Sequence, residues 1–122
     1  MTSDDPQKEP LRVGRALYMP EGVVQFLTYQ SGETAIEVVD AEGDSYMATV
    51  ALVPSGAEHP GETGVWLKGW SENSGVPQAL ESAGVVRLTG RTQSTGFVMA
   101  HHAELTERAL KVREQQLRKR HH

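Results

Sequence analysis

The sequence predicts an α+β protein in which a small antiparallel, strongly twisted sheet of about six strands carries one short helix and a C-terminal helix. Short runs rich in β-branched and aromatic residues alternate with turns of glycine, proline and acidic residues, which is typical of short strands. The loops between the first runs are too short for the crossovers that parallel strands need, so we expect antiparallel pairing. Residues 103–120 lack glycine and proline and are mostly strong helix formers, which predicts the C-terminal helix.

The first half of the chain is predicted to be a meander of strands. These strands are expected at residues 12–19, 23–30, 34–40 and 45–53. The short polar segment 31–33 is predicted to be a hairpin loop between the second and third strands. The segment 54–63 contains two prolines and two glycines, so we predict a long surface loop that is mobile or forms the rim of a binding site.

A short helix is predicted after a fifth strand at Gly64–Lys68. Apolar side chains follow that strand at i, i+3, i+4 and i+7 spacing, which places them on one helical face turned to the core. These side chains are Val76, Ala79, Leu80 and Ala83. Asn73 or Ser74 is expected to cap the start of the helix, and Gly84 is expected to follow its end.

The last third of the chain is predicted to hold two strands and the C-terminal helix. The strands, at residues 85–89 and 95–100, are apolar runs next to Thr-Gly pairs. The apolar residues of the helix lie on two sides, with Leu105, Ala109 and Val112 on one and Leu110 and Leu117 on the other. Because this amphipathic pattern is weak, we expect the first half of the helix to dock on the sheet and the second half to project into water or onto a partner.

Length and composition bound the domain organisation and the environment. A chain of 122 residues can build one hydrophobic core but not two, so we predict a disordered N-terminus at 1–10, one domain at 11–110 and a basic helix end or tail at 111–122. The chain has no cysteine, which excludes disulfides, thiolate metal ligands and cysteine nucleophiles. Because neither a signal peptide nor an apolar run of membrane-spanning length is visible, we expect a soluble cytoplasmic protein without membrane contacts.

Charge is distributed unevenly along the chain. The net charge is −4, yet from Ala103 onward six basic residues accompany three acidic ones, a net +3, so the preceding residues carry −7. The basic residues that could contact nucleic-acid phosphates or an acidic protein surface are Lys111, Arg113, Arg118, Lys119 and Arg120. Such nucleic-acid binding would be weak and would not read the base sequence, because no base-reading motif accompanies these residues. The structural alternative is that these cations complement the helix dipole on a solvated surface.

The polar turn Trp70, Ser71, Glu72 and Asn73 is the candidate site for a small anionic ligand or a protein partner. It follows the strand that Gly69 ends and precedes the predicted short helix, whose free N–H groups and dipole suit an anion. The structural alternative assigns Asn73 to capping, Glu72 to complementing the dipole and Trp70 to closing a small core.

The histidines give little support for a metal site or for catalysis. His101 and His102 are adjacent on a predicted strand, so their side chains point to opposite faces, and no metal-binding spacing accompanies them. We therefore predict no metal and no cofactor. Known nucleophile and phosphate-binding motifs are missing as well, so catalysis is unsupported. His121 and His122 could be native residues or the remnant of a tag.

The stretch from Val65 to Val98, with its turn from Trp70 to Gly75 and its two Thr-Gly pairs, resembles a segment of a family of small uncharacterised bacterial and phage proteins. The family pattern is a strand, an aromatic-Ser-Glu-Asn-x-Gly turn, a short helix and a strand pair of the form Thr-Gly…Thr-Gly-aromatic-Val. The matching residues here are Trp70, Ser71, Glu72, Asn73, Gly75, Thr89, Gly90, Thr95, Gly96 and Phe97. The resemblance covers about the middle third of the chain, does not include the basic C-terminal helix and implies no activity.

Three functional hypotheses follow from the sequence. The leading one is a non-catalytic binding or regulatory protein that acts through the turn from Trp70 to Asn73. The second is auxiliary, non-sequence-specific nucleic-acid binding through the basic C-terminal helix. The third is a small hydrolase or lyase that uses Glu72 with His101 or His102.

Overall fold

Two antiparallel sheets and two α-helices make up the computed structural model, which describes residues 11–13, 22–69, 75–95 and 98–120. The strands are β1 (Arg12–Val13), β2 (Gly22–Thr28), β3 (Thr34–Val39), β4 (Ser45–Met47), β5 (Gly64–Lys68), β6 (Val86–Ser94) and β7 (Met99–Leu105). The helices are α1 (Val76–Ser82) and α2 (Glu107–Arg120), and a 3-10 turn covers Val53–Ser55. The predicted α+β class with antiparallel strands is confirmed, although the described residues form seven strands in two sheets and not about six in one. The predicted disorder of residues 1–10 and most of the predicted strand 12–19 lie outside the described residues.

The two sheets are joined where the chain leaves β4. The first sheet has the order β1-β2-β3-β4 and the second has the order β5-β7-β6. Directly after β4, Thr49 bridges Leu67, the Lys68 amide donates to Ala48 O over 2.9 Å, and the Val50 amide donates to Trp66 O over 3.0 Å. The Ala48 amide still donates to Ile36 O of β3, so residues 48–50 pass from the first sheet to β5 of the second.

The β2–β3 hairpin agrees with the sequence prediction. Phe26 pairs with Ile36 and Thr28 with Thr34, and both Phe26 and Ile36 are buried, as the alternation of apolar residues requires. The loop between the strands holds Gly32 at φ 90°, a left-handed conformation that favours glycine. The end of this hairpin that carries its turn lies next to α2.

Only the first three residues of the predicted strand 45–53 form β4, which ends at Met47. The prediction is wrong for the rest, and residues 53–55 form a 3-10 turn. Glu33, which is 2% exposed, provides the reason. Its carboxylate accepts the backbone N–H groups of Leu52 and Val53, each over 3.3 Å, and Pro54 has no N–H to offer a strand partner. A buried acid from the β2–β3 hairpin loop thus fixes the backbone at Leu52 and Val53, where the local pattern favoured extension.

The strand and helix boundaries in the last third also differ from the prediction. The predicted strand 85–89 continues as β6 to Ser94 through a bulge that contains Gly90 at φ 88°. The predicted helix start at Ala103 is wrong, because β7 runs to Leu105 and α2 begins at Glu107. Ala103 and Leu105 are buried in β7, which is paired on both sides by β5 and β6, and this pairing outweighs their helix propensity.

Helix α1 confirms its predicted end but not its predicted start. Its N-cap is Gly75, which makes no side-chain capping hydrogen bond, and the predicted caps Asn73 and Ser74 lie outside the described residues. At the other end Gly84 has φ 77°, and the Val85 amide donates to Leu80 O over 3.0 Å, which is the Schellman arrangement. Leu80 and Val85 are both buried, so this helix end is part of the core.

Helix α2 lies across β2 and β7. Ala109 and Val112 are buried in the core, and Gln116 bonds to the backbone of β2, so the helix stays on the sheet well into its second half instead of projecting from it. The core joins both sheets and both helices. Its buried members include Val24, Phe26, Ile36, Val38, Val65, Leu67, Leu80, Val85, Ala103 and Val112. Neither helix in the described part of the chain has the length and apolar composition needed to span a membrane.

Replacing Gln116 by alanine should destabilise the fold. The Phe26 amide donates to Gln116 Oε1 over 2.7 Å, and Gln116 Nε2 donates to Val24 O over 3.2 Å. Because β1 is short, the side-chain amide of Gln116 takes over as the hydrogen-bonding partner along this edge of β2. Losing both bonds should lower the free energy of unfolding by about 1–3 kcal/mol in urea denaturation. Gln115→Ala is the matched control and should change it by less than about 0.5 kcal/mol. Equal effects of the two substitutions would contradict this role of Gln116.

Candidate functional site

The candidate turn Trp70, Ser71, Glu72 and Asn73 lies outside the described residues. Its neighbours are described. Gly69 follows β5, and a Cβ built on Gly69 would lie 2.5 Å from Cδ2 of His101. The His101 side chain therefore packs against the backbone of the residue that precedes Trp70.

The adjacent histidines occupy different environments, as alternation along a strand requires. His101 is half-buried beside Gly69, whereas His102 is 2% exposed. The His102 ring packs edge-on against Trp66 with 5.2 Å between the ring centroids. The two imidazoles therefore do not form one metal site.

Both ring nitrogens of His102 have polar partners. Nε2 lies 2.9 Å from Pro60 O, and because a carbonyl oxygen can only accept, Nε2 is the donor. Nδ1 lies 2.9 Å from Thr89 Oγ1, and a carboxylate oxygen of Glu104 lies 3.7 Å from Nε2. A buried polar ring with two satisfied nitrogens is a structural tie between the sheet and the loop that contains Pro60.

We call the loop of residues 57–63 the strap, and three side chains hold it by alternate carbonyl groups. Trp66 Nε1 donates to Glu58 O over 3.2 Å, His102 donates to Pro60 O, and Arg113 Nη1 donates to Glu62 O over 2.8 Å. At the end of the strap, Thr63 Oγ1 donates to a carboxylate oxygen of Glu104 over 2.6 Å. Side chains of β5, β7 and α2 thus hold the strap in place by hydrogen bonds.

An open groove of about 1080 Å³ lies between α2, the β2–β3 hairpin and the strap. Its lining combines three threonines, two leucines, and basic and acidic side chains. The lining residues are Thr28, Gly32, Thr34, His59, Glu62, Thr63, Leu110, Arg113, Glu114, Leu117 and Arg118. The strap and Thr63 place this groove at the amino end of β5.

Arg113 is the half-buried cation of the groove. Its Nη1 donates to Thr34 Oγ1 over 2.9 Å and to Glu62 O over 2.8 Å, so both partners are uncharged. Within the described residues no carboxylate forms an ion pair with Arg113. The guanidinium therefore has a fixed direction and a charge that is not neutralised by a neighbouring acid.

The other predicted basic residues on α2 have different surroundings. Lys111 Nζ lies 3.4 Å from a carboxylate oxygen of Glu107, and Arg118 pairs with Glu114, each one turn along the helix. Lys119 and Arg120 occupy the last turn of α2. Exposed pairs of this kind contribute little to stability, and they lower the free positive charge of the helix face.

The loop between β3 and β4 carries a group of three acidic residues, Asp40, Glu42 and Asp44. Their carboxylate oxygens lie within 4.8 Å of one another, and this is the one set of at least three potential metal ligands found among the described residues. Asp40 Oδ1 accepts the backbone N–H groups of Glu42 and Asp44, each over 2.9 Å. The position of Asp40 is therefore explained by the turn it closes, and the exposed group does not indicate a metal site.

Two tyrosines in the described residues have a raised pKa. Burial raises the pKa of Tyr29 above its ordinary value of 10.0, and the charge of Glu33 adds to this increase, while the hydrogen bond to Thr49 opposes it. Burial also raises the pKa of Tyr46. The Tyr29 hydroxyl, 3.1 Å from Thr49 O, therefore stays protonated at neutral pH and can donate to this carbonyl.

Comparison with known proteins gives no match to a family model, to a curated protein or to a solved structure. The candidate site therefore depends on the geometry of this chain alone.

The sequence indicates Arg113 as a candidate but does not predict the groove. Arg113 is a candidate from the sequence because of its charge among the basic residues of α2. Nothing in the sequence indicates that Thr28, Thr34 and Thr63 line a groove with it. One signal was present in the sequence, because Leu110, Arg113 and Leu117 have the i, i+3, i+7 spacing of a single helical face.

Replacing His102 by leucine should destabilise the fold because it removes both ring hydrogen bonds and leaves Pro60 O without its side-chain donor. We expect the free energy of unfolding to fall by about 2–4 kcal/mol in urea denaturation. His101→Leu is the matched control on the same strand, and it should cost less than about 1 kcal/mol. If the two variants are equally stable, the assignment of His102 as the tie of the strap is wrong.

Proposed function

We propose that the protein is a non-catalytic binding protein that takes a small anionic ligand in the groove between α2, the β2–β3 hairpin and the strap. The observation that carries this proposal is the half-buried guanidinium of Arg113, which has only uncharged partners among the described residues. We place this role in the cytoplasm, in line with the expectation from the sequence. The turn from Trp70 to Asn73 is a second proposed surface for a partner.

The physical basis is the remaining hydrogen-bonding capacity of Arg113. A guanidinium carries five N–H donors in a planar fork, and charge-assisted hydrogen bonds to an anion are stronger than neutral ones. Thr34 Oγ1 and Glu62 O already hold Nη1, so the side chain loses little conformational freedom when a ligand binds. These features favour capture of a carboxylate or another small anion.

The surroundings of the histidines favour binding over catalysis. A general base needs a nitrogen within reach of the substrate, but both nitrogens of buried His102 are bonded within the fold. His101 is half-buried against Gly69, and Glu72, its partner in the hydrolase or lyase hypothesis, lies outside the described residues. That hypothesis stays a prediction and is not the function proposed here.

Anion binding can be tested by ¹H–¹⁵N NMR titration with sodium acetate, benzoate and phosphate at constant ionic strength. Amides that flank the groove should shift, and Arg113→Gln should weaken binding about tenfold or more, because hydrogen bonds to a charged group are lost. Lys111→Gln removes a cation from the same helix outside the groove and should change the affinity by less than about twofold. Arg113→Lys keeps the positive charge but removes the planar fork of N–H donors, so its affinity shows which of the two the anion needs.

The same titration distinguishes the two proposed surfaces. A double variant, Glu72→Ala with Asn73→Ala, should bind anions as the wild type does if the groove is the site. If this variant loses binding and Arg113→Gln does not, the turn is the site. Without any anion-induced shift at the groove or at the turn, the proposed function is wrong.

Nucleic-acid binding is a second candidate, favoured by the position of Arg118, Lys119 and Arg120 in the last turn of α2. It predicts retention on heparin or DNA that weakens steeply with salt. Replacing all three residues by glutamine should lower the slope of log affinity against log salt by about two to three. Substitution is preferable to truncation, because Val112 and Gln116 hold α2 on the sheet. An unchanged slope would exclude this surface.

A further inference from the structure

We infer that the ligand of the groove is an amphipathic monocarboxylate, with its carboxylate on Arg113 and its apolar chain along Leu110 and Leu117. This inference rests on the proposed anion-binding function and adds the class of the ligand. It depends on three features of the groove, namely the apolar side chains beside Arg113, the balance of charges in the lining and the volume.

The apolar surface lies next to the cation. Leu110, Arg113 and Leu117 share one face of α2, with Leu110 about 4.5 Å and Leu117 about 6 Å from Arg113 along the helix axis. Leu110 also packs against the core, whereas Leu117 does not belong to the core cluster and is only half-buried in the groove. A chain of several methylene groups bound at Arg113 would cover Leu117 and remove apolar surface from water.

The charges of the lining favour one negative charge over several. Of the two arginines in the lining, Arg118 is paired with Glu114, and Arg113 has no acidic partner among the described residues. Glu62 adds a further carboxylate to the lining. A single carboxylate can bind Arg113, whereas a second charge on the ligand would meet Glu62 or Glu114. Like charges at short range in a partly buried site are unfavourable.

The groove has room for a small molecule. Its volume of about 1080 Å³ slightly exceeds the usual range for small-molecule sites, roughly 300–1,000 Å³. The hydroxyl groups of Thr28 and Thr63 add polar positions to the lining around the apolar face of α2. A linear chain with one polar end uses both kinds of surface.

The test is an NMR titration of the wild-type protein with acetate, butanoate, hexanoate and octanoate at constant ionic strength. Affinity should rise about two- to fourfold for each added methylene, since every methylene buried removes apolar surface from water. Two probes match hexanoate in length. Hexan-1-ol lacks the charge and should bind at least about tenfold more weakly, and hexanedioate adds a second carboxylate and should bind about fivefold or more weakly.

A substitution isolates the apolar contact. Leu117→Ala should weaken octanoate binding about three- to tenfold and leave acetate binding unchanged within about twofold. Met99→Ala is the matched control, because Met99 is a large hydrophobic residue that is 46% exposed and does not line the groove. This variant should bind the whole series as the wild type does. Leu117 is outside the core cluster, so its truncation should leave the protein folded.

The outcomes separate this inference from the function on which it rests. Anion binding that depends on Arg113 but does not change with chain length would overturn the monocarboxylate inference and leave the anion-binding function standing. Preference for hexanedioate over hexanoate would overturn the inference in the same way. If no member of the series shifts the amides around the groove, the inference is wrong, and if benzoate and phosphate do not shift them either, the proposed function is wrong as well.

Discussion

Most of the structure around the groove depends on satisfying the backbone carbonyl groups of the strap. A buried carbonyl without a partner is costly, and His102 provides the donor for Pro60, while Trp66 and Arg113 donate to the carbonyl groups of the more exposed Glu58 and Glu62. The donors come from β5, β7 and α2, so the strap can take this position only when these three elements are already assembled. Gly64 permits the close approach, since a Cβ at this position would lie 2.1 Å from Pro60 O.

This arrangement gives α2 two roles that use different residues of one helix. Ala109 and Val112 bury apolar surface, and Gln116 continues the hydrogen bonding of β2, so these residues fix the helix on the sheet. Arg113 extends to the other side of the groove and bonds to the hairpin through Thr34 and to the strap through Glu62. The position of the guanidinium is therefore determined by the packing of the helix and not by the flexibility of a surface arginine.

The sequence predicted features that depend on local patterns and failed where distant contacts decide. Alternation of apolar residues was sufficient for the β2–β3 hairpin, and Gly84 marked the end of α1 correctly. Ala103 to Leu105 has good helix propensity, yet it lies in β7, because pairing on both sides and burial outweigh propensity. The groove could not be predicted, since its lining comes from three segments of the chain that only the assembled fold brings together.

The contrast between His102 and Arg113 shows how burial separates a structural polar residue from a candidate for binding. Both residues donate to carbonyl groups of the strap, and both could be assigned to function from their chemistry alone. His102 has a partner for each nitrogen and is closed off beneath the strap, so its bonding capacity is used within the fold. Arg113 uses one terminal nitrogen for its two neutral partners and lines an open groove, so donors and charge remain for a ligand. The unused capacity, and not the residue type, is what makes Arg113 the centre of the proposed site.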